Sequence, residues 1–157
     1  MKRTIGIIFC AALLMCACNT ERLAYEACDE AITFKAYAGG VTKTAALSSS
    51  TLTSFGATAY TGSVKILDNQ EVSGGNGSWS YSPIKYWPQS GALYFSAYAP
   101  FATSSNGITP SYNTTTKTFD LTYALPASEA NQVDLLMASN VSVADCSDRP
   151  STVQFTF

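Results

Sequence analysis

From residue 32 onward the chain alternates between apolar and polar positions. Ile32, Phe34 and Ala36 stand against Thr33, Lys35 and Tyr37, the period-two pattern of a strand with one buried face. Gly39-Gly40 breaks this first strand, and the Ser/Thr-rich stretch 42–54 predicts a loop or a weak edge. Phe55, Ala57 and Ala59 then alternate with Gly56, Thr58 and Tyr60; Val64 and Ile66 alternate with Ser63 and Lys65 before Asp68-Asn69 turns the chain. Asn76-Gly77, inside the run 73–77, is a hairpin signal, because a type I′ turn needs positive φ at both central positions. Residues 78–81 start the return strand.

The densest aromatic run is "YSPIKYWPQSGALYFSAYAP", residues 81–100. Leu93, Phe95, Ala97 and Ala99 project to one side of a strand and Tyr94, Ser96 and Tyr98 to the other, with residues 88–91 as the feeding turn and Pro100 as the stop. Such alternation means that one face packs into a core. These rings are therefore expected to fill the core and the second face of the sheet. Trp79, Tyr86 and Trp87 lie near turns and are the candidates for exposed rings that stack on sugar faces.

Farther on, 104–107 is a turn, and Phe119, Leu121 and Tyr123 alternate with Thr118, Asp120 and Thr122. Residues 125–131 form a polar connector with room for one helical turn. Residues 133–138 are an apolar strand followed by Val141 and Val143, and Val153, Phe155 and Phe157 alternate with Thr152, Gln154 and Thr156. Eight or nine short strands between turn signals predict an all-β chain, an antiparallel β-sandwich with Greek-key connections. The last strand stops at an apolar residue, as in a truncated chain or an edge completed from outside.

The first residues read differently. Met1-Lys2-Arg3 and an apolar run of about eleven residues, too short to span a bilayer, make a cleaved signal peptide over 1–17. Ala17-Cys18 resembles a bacterial lipobox, so Cys18 is the expected lipidation site and the outer membrane a partner through that anchor. Glu21, Glu26, Asp29 and Glu30 make 18–30 an acidic tether, leaving 31–157 as the domain. Cys28 and Cys146 remain, in a compartment that permits disulfides. Paired, they would close a long loop; they equally stand as two separate thiols.

Composition then excludes several chemistries. Only 13% of residues are charged, and without Lys2 and Arg3 seven basic residues face eleven acidic ones, a balance of −4. No basic stripe exists to neutralise phosphates, so nucleic acid is not an expected partner. There is no histidine, hence no Ser-His or Cys-His pair and no imidazole metal site. The glycine-rich run 73–78 lacks the Lys-Ser/Thr of a phosphate-binding loop. No catalytic residue, cofactor or metal site is expected.

"KYWPQSGALYFSAYAP" (85–100) resembles the central signature of the fimbrillin-like proteins of anaerobic Gram-negative bacteria, a Tyr-Trp-Pro turn before a Leu-x-Phe-x-Ala-Tyr-x-Pro strand. "TKTAALSSSTLTSFGATAY", "VDLLMAS" and "VQFTF" resemble further family segments in the same order. The resemblance implies a fimbrial subunit or surface adhesin at the outer membrane, with a transthyretin-like sandwich and a second domain that is missing here. It implies other fimbrial subunits as partners through strand exchange, and a host or bacterial surface receptor. It also implies proteolytic removal of the first strand. Lys43 stands where members often carry Arg, and Arg22 and Arg149 are the only arginines after the signal peptide. An Arg-specific cut between the first strand and the rest is therefore excluded: either a Lys-directed enzyme cuts at Lys43, the candidate processing site, or no cut occurs, as in anchor or tip subunits. The competing reading is a surface lipoprotein that binds glycan through Trp79, Tyr86 and Trp87.

Overall fold

Strands carry the whole architecture of the computed structural model, which describes residues 27–39, 50–143 and 146–157. They are β1 (Ala27–Ala31), β2 (Phe34–Tyr37), β3 (Ser54–Thr61), β4 (Val64–Gly75), β5 (Ser78–Ser80), β6 (Tyr86–Pro88), β7 (Leu93–Ala99), β8 (Ile108–Asn113), β9 (Thr118–Tyr123), β10 (Leu136–Val143) and β11 (Val153–Thr156). The connector 125–131 holds one 3-10 turn, Glu129–Asn131. The principal sheet runs β10-β7-β3-β4-β5, all antiparallel. Two ribbons, β1-β6 and β2-β11, form a second layer, and β8-β9 is a separate hairpin.

The alternation places the core between the principal sheet and the second layer. Ala57 pairs with Ala97 and Ala59 with Phe95 across β3 and β7. All four are fully buried. Small side chains on the sheet leave depth for the rings that meet there, Phe34, Phe55, Phe95, Phe155 and Trp87. β2 runs beside β5 and β11 beside β10, so the second layer also lines both edges of the sheet.

The other face of β3 and β7 is covered by the β8-β9 hairpin. Tyr60 stacks on Tyr112 with ring centroids 3.6 Å apart, and Tyr98 on Phe119 at 5.9 Å. The Tyr98 hydroxyl donates to Asn69 Oδ1 at 2.6 Å and accepts from the Ala102 N–H at 3.2 Å. Gly56 lies opposite Tyr98 in register, and a Cβ there would run into the Tyr98 ring. Gly56→Ala is therefore expected to displace that ring and loosen the hairpin. The cost is about 1–3 kcal/mol, read as a lower urea midpoint with an unchanged slope.

Burial raises the phenol pKa values of Tyr98, Tyr60 and Tyr112 above the ordinary 10.0, although the Ala102 and Asn69 hydrogen bonds pull Tyr98 back. A phenol that ionises less readily in the folded chain contributes stability below pH 10, which is lost as pH rises through the folded-state value. Unfolding free energy should thus be level below pH 10 with respect to these groups and fall above it. Tyr98→Phe should flatten part of that fall in urea titrations on either side of pH 10.

Several expectations are corrected. The sandwich is not wholly antiparallel: β2 and β11 pair in parallel, Phe34 with Val153 and Tyr37 with Thr156. The stretch 18–30 is not tether throughout, because β1 begins at Ala27 and pairs with β6, Ala31 opposite Tyr86. The apolar strand expected over 133–138 starts later, at Leu136, and continues through Val143, with a bulge between Ala138 and Val141. β8 was not anticipated. The 73–77 signal behaves as read: Asn76 has φ 52° and Gly77 φ 85° between β4 and β5.

Candidate functional site, the groove beneath the first strand

The site is built around the segment 27–39, whose backbone is paired on both sides. On one side β1 pairs with β6, and the Ile32 N–H donates to the Lys85 carbonyl at 2.8 Å. Tyr81 seals this side. Its hydroxyl donates to the Ile32 carbonyl at 2.8 Å and accepts from the Lys85 N–H at 3.2 Å. On the other side the Val153 N–H donates to the Thr33 carbonyl and the Phe157 N–H to the Tyr37 carbonyl, both at 2.8 Å, while the Gly39 N–H donates to the Phe157 carbonyl at 3.1 Å. The Thr33 hydroxyl adds a bond to the Ser151 carbonyl at 2.9 Å.

Ile32, Phe34 and Ala36 point inward from this backbone and are at most 4% exposed. The Phe34 ring is the hub. Its centroid lies 5.7 Å from Phe155, 6.1 Å from Phe55, 6.2 Å from Phe95 and 5.4 Å from Tyr81. With 27–39 taken away, these four rings would form the floor of an apolar groove whose walls carry unpaired backbone donors and acceptors from β6 and β11. Water solvates such a surface poorly, whereas an extended peptide satisfies floor and walls together.

The N-terminal end of the segment is fastened twice. Cys28 and Cys146 stand with sulfurs 1.90 Å apart and Cα atoms at 6.7 Å, joining β1 to the stretch that leads into β11. Arg149 pairs with Glu30 at 3.3 Å and donates to the Cys146 carbonyl. A partly exposed ion pair adds at most about 1 kcal/mol.

The proposed sugar-stacking residues are not assembled as a platform. Trp87 is 2% exposed and packs edge-on against Phe95, ring centroids 5.6 Å apart. The reading of Trp87 as an exposed stacker is corrected: β6 turns it into the core. Trp79 is half-buried, packed edge-on against Phe55 at 5.0 Å. Tyr86 alone of the three stands well exposed, on the opposite side of β6 from Trp87. Cys18 and Lys43 lie outside the described residues.

Sequence reasoning found the inward face of 32–36 but not its role as hub, nor Tyr81 as its clasp, nor the Arg149–Glu30 pair. The alternation of Val153 and Phe155 marked β11, but nothing local indicated that its partner would be the first strand.

No curated protein and no solved structure matches the chain. The family profile described as fimbrillin-like matches residues 40–157, a span that begins just after the buried first segment. With three quarters of its length under that profile, the chain belongs to the fimbrillin-like family.

Proposed function

We propose that this chain is a structural subunit of a cell-surface fimbria, joined to its neighbours by exchange of strands in the groove that 27–39 now fills. Family membership supports the subunit role. The observation that carries the mode of assembly is the first segment itself: β1 is paired with β6 and β2 with β11, and Ile32, Phe34 and Ala36 are plugged into the core. A strand from another subunit with apolar residues at alternate positions would make the same bonds and fill the same floor. On this reading the sandwich is of the transthyretin-like Greek-key type, lipid on Cys18 holds the subunit to the outer membrane, and a Lys-directed cut at Lys43 separates the first strand from the body. Surface receptors would be met by the assembled fimbria. The glycan-binding alternative loses its central ring with Trp87 buried.

The test is assembly. Mature protein cut between residues 39 and 50 and held under reducing conditions should form ladders that survive detergent on gels. Only monomer, with the cut complete, would remove strand exchange from the account.

A further inference from the structure

We infer that Cys28 and Cys146 form a redox latch that decides whether the first strand can leave its groove. The inference rests on the strand-exchange reading only in what an opened groove would receive; the latch itself stands on topology. Among the described residues, the segment 27–39 is held by the core contacts of Ile32, Phe34 and Ala36, by its backbone bonds, by the side-chain bonds of Thr33 and Tyr81 and the Glu30–Arg149 pair, and by one covalent link to the body besides the main chain, at Cys28. That link reaches Cys146, in the stretch leading to β11, the strand that lies alongside β2. A main-chain cut after residue 39 therefore does not free the strand while the latch is closed. The cut piece remains tethered beside its groove at an effective concentration on the order of mM, and an incoming strand must compete with it.

The surroundings suit a bond that opens and closes. Both cysteines are only partly buried and therefore within reach of a redox partner. The Arg149 guanidinium lies 3.4 Å from Cys146 Sγ, where it stabilises negative charge on that sulfur, and the same side chain holds Glu30, two residues from Cys28. The exchange partner is a protein dithiol. Its thiolate attacks Cys28 Sγ, the Cys28–Cys146 bond breaks, and Cys146 leaves as the thiolate beside Arg149. The second thiol of the partner then resolves the mixed disulfide. Two electrons and two protons pass from the dithiol to the latch, leaving two cysteine thiols here and a disulfide on the partner. The freed Cys28 thiol has the Pro88 carbonyl 3.6 Å away as an acceptor. Closing is the reverse, with a protein disulfide as oxidant.

The experiment uses the full mature chain with a specific-protease site in place of residues 43–49. After complete cutting, native size exclusion reads whether the first-strand peptide travels with the body. In the oxidised protein it should co-elute fully. After a phosphine reductant, and equally in Cys146→Ser without reductant, it should be lost from the body peak. Reduction of the otherwise unaltered chain guards against a folding defect of the substitution. Release from the oxidised protein would overturn the latch, and so would retention in both the reduced protein and Cys146→Ser. Redox-dependent release without ladder formation would leave the latch standing and count against strand exchange.

Discussion

Phe34→Ala is expected to cost the protein about 3–5 kcal/mol, the range for emptying a large aromatic site in a core. The ring is 4% exposed and stands at the centre of four aromatic neighbours on β3, β7, β11 and the β5-β6 connection. Those neighbours belong to both layers, so neither layer can close the cavity without pulling away from the other. Much of the stability of an ordinary domain would be lost. The measurement is urea unfolding followed by tryptophan fluorescence, which reports on the buried Trp87 and on Trp79, in edge contact with Phe55. Phe34→Leu keeps most of the volume and should lose markedly less. Equal losses for the two variants would mean that filled volume is not what the site requires.

Loss of the Cys28–Cys146 link is expected to have an effect of similar size. The link spans a sequence separation of 118. Opening a loop of that length releases chain entropy worth about 4–5 kcal/mol. Reduced protein should unfold at a clearly lower denaturant concentration than oxidised protein, and the Cys28→Ser, Cys146→Ser double variant should match the reduced form under both conditions. The comparison also separates the link from the packing beneath it. If the double variant keeps the core, its slope against denaturant changes only as an open chain requires, and the fluorescence of its folded state is that of the oxidised protein.

What the sequence disclosed and what it withheld divide along one line. Wherever a buried face repeats every second residue within a single strand, as in Phe55-Ala57-Ala59 or Leu93-Phe95-Ala97-Ala99, the inward residues were legible and are buried. The β4-β5 turn was legible because Asn-Gly is a local signal with a local cause. β8 was hidden by Pro110 and its polar composition, although Ile108, Pro110 and Tyr112 do face inward; a two-stranded ribbon tolerates a proline that a central strand would reject. The parallel pairing of β2 with β11 joins residues about 120 positions apart, and alternation within a strand carries no information about partner or direction. Trp87 was misread for the same reason. A residue beside a turn is usually exposed, but β6 pairs with β1, and that pairing rotates alternate residues inward. The cysteines were legible as a pair or as two thiols; only the placement of β1 against the β11 approach brings them together.

The groove thus couples core packing to the release of the first strand. Phe34 gives it a floor to fill, and the Cys28–Cys146 link sets when it can be emptied. The most direct measurement is binding of a fluorescent peptide carrying residues 27–39, with Ser at position 28, to protein cut after the first segment and reduced. Saturable one-to-one binding, abolished when the peptide carries Ala in place of Phe34, is the predicted result. No binding to reduced protein that has shed its own strand, or binding indifferent to the Phe34 position, would contradict it.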